Sequence, residues 1–222
     1  LDAVRERTLA VLDRTGPSEL HELVIRHELQ HTETMRQAMF LGALPGGFPE
    51  DLPSLPADPD LVEIPGGPFV MGAPNDRFAY DNERPRHTVD VPPFRITRTP
   101  ITNATFLRFV EGGGYERREW WSDEAWAWKE EYDVTHPAGW AGPDDHPVQH
   151  VSFHEAEAFA RSVGGRLPTE AEWEKAATWG DALEGVGLVW EWTATEFTGY
   201  PGFVAHPYRE YSEVFFDRGY RV

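Results

Sequence analysis

Of the 19 prolines and 20 glycines in this 222-residue sequence, only Gly16, Pro17 and Gly42 come before Leu44. A chain punctuated in this way can build long helices only at its beginning, because Pro removes a backbone donor and Gly raises the entropy cost of regular structure. The spacing predicts two helices over residues 1–43. The first covers Asp2 to Arg14 and stops at Thr15-Gly16-Pro17; the second starts at Ser18, a good N-cap type, and runs to Leu41. Leu20, Val24, His27, His31, Met35 and Ala38 recur at intervals of three or four and form a stripe expected to look inward. Residues 44–60, LPGGFPEDLPSLPADPD, show neither helical nor strand periodicity and read as a linker.

From Leu61 onward, short β-type runs alternate with Gly/Pro turns: VEIPGGPFVMG, RHTVDVPPFRITRTPIT and HPVQHVSF. Helices are expected over Asn103 to Glu111, over Phe153 to Val163, and over Glu170 to Ala177 behind Thr169 as N-cap. The rest reads as Trp-rich loop. The fold class is α+β, with little regular structure per residue.

Composition narrows the partners. A net charge of −18 leaves no basic excess to displace counterions, which argues against nucleic acid and against an anionic membrane surface. No window is apolar enough for a membrane span, and charges interrupt every apolar run of the first sixteen residues, unlike a signal peptide. Without cysteine there is no disulfide and no thiolate metal ligand in these residues, so sulfur chemistry would have to use sulfur brought by a substrate. A cytoplasmic monomer is expected.

The sharpest chemical signal is His27 and His31, four apart and hence one turn apart on one helix face. That is how a helix offers two imidazoles to one metal ion; two hydrogen-bonded histidines without a metal is the bland alternative. The run His27-Glu28-Leu29-Gln30-His31 also spells the zinc-protease pattern H-E-x-x-H. Its extended form needs Gly and His where Thr34 and Gln37 stand, and the form that takes a distant Glu finds only Glu50, inside the linker. Glu33 points well away from the His27/His31 face. The residues themselves thus leave a third ligand unidentified.

The segment HELVIRHELQHTETM resembles the H-x-x-x-H-x-E helix of the DinB-like domain of ergothioneine-biosynthesis sulfoxide synthases. IPGGPFVMGA, FAYDNERPRHTVDVPPFRITRTPITNATFLRFVEGGGY, WWSDEAWAW, HPVQHVSFHEAEAFARSVGGRLPTEAEWEKAA and GLVWEWTATEF resemble their second domain. That domain has the formylglycine-generating-enzyme (sulfatase-modifying-factor) fold, related to C-type lectins. RLPTEAEWEKAA and VWEWT are common to the wider fold, whereas FAYDNERPRH and the HELQH helix single out the synthases. The resemblance implies residues 1–43 as the remainder of an iron-binding DinB-like bundle, 44–60 as linker, and 61–222 as a C-terminally incomplete formylglycine-generating-enzyme-like domain.

By the same resemblance, His27 and His31 are two of three histidines that bind Fe(2+), the third lying upstream of Leu1. Gln30 contacts the histidine-derived substrate, Tyr208 delivers a proton during oxygen activation, and Tyr211 lines the substrate pocket. Further substrate-binding residues would follow Val222, and TWGDALEGVGLVW (178–190) is shorter than the family usually has. The implied reactants are hercynine (Nα-trimethylhistidine), a cysteine-type thiol (cysteine or γ-glutamylcysteine) and O2. Glu191 matches a position near a structural Ca(2+) in formylglycine-generating enzymes. His146, His150 and His154 are read as structural, in a strand leading into a helix, and the Trp-rich 120–128 as core filling. Selenoneine- and ovothiol-type synthases, a formylglycine-generating enzyme and a lectin-like binding module are the competing readings, the last two having no use for the histidine helix.

Overall fold

A computed structural model describes residues 2–44, 52–138 and 142–222, which form a mixed helix-and-sheet structure. Two helices open it, α1 (Asp2–Thr15) and α2 (Glu19–Leu41). Four strands follow: β1 (Leu61–Ile64), β2 (Gly67–Met71), β3 (His87–Val91) and β4 (Phe94–Thr97). The remaining helices are α3 (Asn103–Glu111), α4 (Asp123–Glu131), α5 (Phe153–Ser162) and α6 (Glu170–Thr178).

The strands make one long antiparallel ribbon broken in the middle. β1 pairs with β4 from Leu61 opposite Thr97 to Ile64 opposite Phe94, and β2 pairs with β3 from Gly67 opposite Val91 to Met71 opposite His87. The break is at Pro65-Gly66 facing Pro92-Pro93, where prolines cannot donate to a ladder. Gly66 is required there: a Cβ would stand 2.7 Å from the Pro93 ring.

Side-chain caps fix the later helices. Thr102, Ser122, Ser152 and Thr169 each accept from the backbone N–H three residues on, and Glu155 and Glu172 complete capping boxes on α5 and α6. Buried Glu155 also accepts the Tyr115 hydroxyl at 2.6 Å, so a core carboxyl is satisfied from two sides. Around it pack Phe106 and Phe109 of α3, Trp121, Ala125 of α4, and Ala158 and Phe159 of α5. A second cluster joins Ile64 of β1, Ala176 of α6 and Ala182. Behind it, buried Lys175 donates to the Gly67 carbonyl at 2.8 Å and pins α6 to the start of β2.

Three expectations need correction. The Trp-rich stretch is not all loop: 123–131 is helix α4, started by Ser122. HPVQHVSF forms no strand, only an isolated bridge between Thr102 and Pro147, because Pro147 cannot donate and His150 has φ 59°. And the stripe expected to look inward does not: Leu20, Val24, His27, His31, Met35 and Ala38 are all exposed. A helix buries whichever face meets a neighbour, and for α2 that face carries Leu23 and Phe40, its only buried residues. α1 buries none, so no bundle core exists among the described residues. The linker's residues 45–51 lie outside the described residues; within 52–60 there is neither helix nor strand.

Candidate functional site

α2 lies along the side of the strand-bearing part through residues at helical spacing. Glu19 takes an ion pair from Arg84 at 2.9 Å, the Arg26 guanidinium sits 5.1 Å over the Phe78 ring, Glu33 accepts the Trp190 indole N–H at 3.1 Å, and Phe40 stacks on His150 at 4.3 Å. Residues 19, 23, 26, 33 and 40 thus form one stripe, and the histidine stripe lies about 120° further round the helix at 100° per residue. Glu33 points away from the His27/His31 face, as that geometry requires. Burial pushes the His150 imidazole below its ordinary pKa, which suits a ring packed neutral against Phe40. His154 packs 5.2 Å from Trp128.

On the histidine face, the two Nε2 atoms are 3.0 Å apart and the rings stand edge to face at 88°. With metal–imidazole bonds of about 2.1 Å, donors at right angles are about 3.0 Å apart and tetrahedral donors about 3.4 Å. The pair therefore has the spacing of two cis ligands of an octahedral ion, and imidazole suits ferrous iron. The same 3.0 Å also suits an N–H···N hydrogen bond, so metal loading is what separates the two. Among the described residues no three or more His, Asp or Glu side chains are grouped so as to hold an ion, and His27 and His31 stand there as a pair. The Glu191 carboxyl is pushed upward by its own burial.

The other half of the site comes from the far end of the chain. The Tyr211 ring lies 6.3 Å from His27, and Tyr208 stands edge to face with Tyr211 at 5.8 Å. Tyr80, which sequence reasoning did not single out, lies nearly parallel to Tyr211 at 6.3 Å and edge to face with Phe78 at 5.3 Å. Burial, then the neighbouring phenols, raises the Tyr211 pKa; burial also raises that of Tyr80. Both phenols stay protonated at neutral pH. Gln30, between the histidines, is exposed on α2. His27, His31, Tyr211 and Tyr208 thus gather in one place, and the segment 78–84 touches both the helix and the tyrosine loop. Its Asp81 holds that loop through Ser212 and His206.

A family model described as the sulfatase-modifying factor enzyme 1-like domain matches residues 49–185. The chain belongs to that family. The match leaves out α2. Hercynine oxygenase from Mycolicibacterium smegmatis is 37% identical over 272 aligned residues, covering 95% of this chain and 64% of that protein. Hercynine oxygenase from Mycobacterium tuberculosis is 36% identical, covering 96% and 65%. The formylglycine-generating enzyme of Mycobacterium tuberculosis is 30% identical, covering 62% of this chain and 74% of that enzyme. PvdO from Pseudomonas aeruginosa, a solved structure, superposes with a TM-score of 0.42 at 23% identity over 56% of this chain and 49% of that one. The chain spans a little under two thirds of the hercynine oxygenases that it matches. At 95% coverage only about 11 of 222 residues stay unaligned, too few to omit α2. The match to the hercynine oxygenases therefore takes in the histidine helix as well.

Proposed function

We propose that this chain carries the site of an iron(II)- and O2-dependent sulfoxide synthase that joins the sulfur of a cysteine-type thiol to the imidazole of hercynine. One observation carries the reading: His27 and His31, spaced as cis metal ligands, face the Tyr208/Tyr211 loop from the other end of the chain. The exposed apolar stripe of α1 and α2 supports their belonging to a DinB-like bundle, and the family match supports a formylglycine-generating-enzyme fold behind it.

The overall change balances as thiol plus hercynine plus O2 giving the sulfoxide and water. The S–H and one imidazole C–H are lost, the C–S and S=O bonds form, and the second oxygen atom leaves as water. Ferrous iron, when bound, supplies the redox chemistry with dioxygen. His27 and His31 would hold it as neutral ligands. Gln30 and Tyr211 orient the imidazole of the substrate. The phenol O–H of Tyr208 gives up the proton that the reduction consumes.

Metal loading of the full-length protein tests this directly. Anaerobic loading followed by elemental analysis should give one iron per chain in the parent and a clear loss in His27→Ala and in His31→Ala. Unchanged iron in both variants would sink the metal assignment and leave the histidines as a hydrogen-bonded pair. Running histidine against hercynine as competing substrate distinguishes this chemistry from the ovothiol-type reaction.

A further inference from the structure

The tyrosine loop has almost no regular structure of its own. Its internal backbone bonds are single turns, Tyr211 N–H to the Tyr208 carbonyl at 3.1 Å and Phe215 N–H to the Ser212 carbonyl at 3.0 Å. What places it is the carboxylate of Asp81, which is 5% exposed. One oxygen accepts the Ser212 hydroxyl at 2.5 Å and the other accepts the His206 backbone N–H at 3.1 Å. These two bonds bracket Tyr208 and Tyr211. Two bonds to opposite oxygens of one planar carboxylate fix the loop's orientation as well as its distance.

The same segment reaches the histidine helix. Tyr80, next to Asp81, faces Tyr211, and Arg84, three residues on, makes the ion pair with Glu19 of α2. The short turn Asp81–Glu83 is therefore bonded to the tyrosine loop through Asp81 and, one residue beyond it, to α2 through Arg84. We propose that Asp81 is the positioning residue that sets where Tyr208 and Tyr211 stand relative to His27 and His31. Asp81 touches no reacting atom; it acts through the loop. This rests on the proposed reading of the site.

Two kinds of variant separate positioning from general support. Asp81→Ala removes both bonds and Ser212→Ala removes one. Asp81→Asn can keep both, its carbonyl accepting from His206 N–H while its amide donates to the Ser212 oxygen, since a hydroxyl can reverse its role. The measurements are made on the full-length protein. Amide hydrogen exchange over residues 206–213 is read without metal or substrate. Iron content, and sulfoxide formation against plain thiol oxidation, are read after iron loading with hercynine and γ-glutamylcysteine.

Asp81→Ala should speed exchange over 206–213 by about 10-fold or more while α6 and β2–β3 keep the parent rates. Iron content should not change. Sulfoxide formation should fall on the order of 10²-fold, the scale expected for a misplacement of about 1 Å, with thiol oxidation persisting. Ser212→Ala should fall between, and Asp81→Asn should restore the parent's product ratio. If Asp81→Ala does not fold, Ser212→Ala against Asp81→Asn carries the comparison. Parent-like sulfoxide formation in Asp81→Ala or Ser212→Ala, alongside a loss in Tyr208→Phe, overturns the proposal and leaves the reading of the site intact. No loss in Tyr208→Phe either overturns both.

Discussion

Tyr208 and Tyr211 are close enough to be confused, and their surroundings separate them. Tyr211 is half-buried between His27 and Tyr80, whereas the Tyr208 ring is 56% exposed. Replacing Tyr208 with Phe removes one oxygen and little volume, so folding and iron content should survive. Sulfoxide formation should drop by about 10²–10⁴-fold, the usual contribution of a positioned general acid, while the thiol is still oxidised. Tyr211→Phe should instead raise the KM for hercynine. Product analysis by mass spectrometry reads both, and a reversal of the two phenotypes would reverse the two roles. The histidine pair could be read from its spacing and the tyrosines from a family pattern. Tyr80 and Asp81 could not be given roles, although both lie in FAYDNERPRH, one of the runs that carry the resemblance. Their partners, Tyr211 and Ser212, are far along the chain, and no periodicity links such distant side chains.

Helices that join a side-chain cap to an apolar stripe were legible, and α4, capped by Ser122 but without such a stripe, was not. Thr169 and Glu172 announce α6, and α3 and α5 begin where Thr102 and Ser152 cap them. α4 hides because Trp126 and Trp128 both pack partly against the core from different faces, leaving Ala125 its only buried residue. HPVQHVSF misleads for the opposite reason, since alternation survives where the ladder cannot form. At α6 the capping acid does a second job. Glu172 accepts from the Thr169 N–H at 2.8 Å and from both Arg166 nitrogens at 2.7 and 2.6 Å, and that guanidinium holds its carboxyl below the usual range. A carboxyl whose pKa is lowered in the folded state contributes stability above its ordinary value of 4.5 and loses it as pH falls through the folded value. Glu172→Gln should therefore cost about 1.5 kcal/mol at neutral pH, the low end for a bond to a charged group because Arg166 is largely exposed. Its deficit should shrink as the pH is taken down below the ordinary carboxyl value of 4.5. Chemical denaturation at several pH values checks this; a deficit that stays constant with pH would mean that the loss is packing rather than charge.

Across the whole molecule, stability is divided unevenly. α3, α4 and α5 share one buried cluster and α6 packs in another, while α1 buries nothing and α2 buries only Leu23 and Phe40 and is otherwise attached by surface contacts such as Arg84–Glu19, Arg26–Phe78 and Trp190–Glu33. Surface contacts of this kind are worth little each and weaken with salt. Hydrogen exchange on this chain should show α1 and α2 opening well before α3 and α5. Phe40→Ala combined with Arg84→Ala should speed exchange in α2 further without moving the main thermal transition by more than about 2 °C. A large drop in that transition would show α2 to be part of the cooperative core. The sequence's helical periodicity found α2 but not the face that meets the strand-bearing part, because periodicity reports where apolar residues lie and not which neighbour is present. The turn at Asp81–Glu83 has a mechanical consequence. Asp81 ties down the phenol-bearing loop and Arg84, just after the turn, ties down one end of α2, so a shift of this stretch of chain pulls on both supports at once.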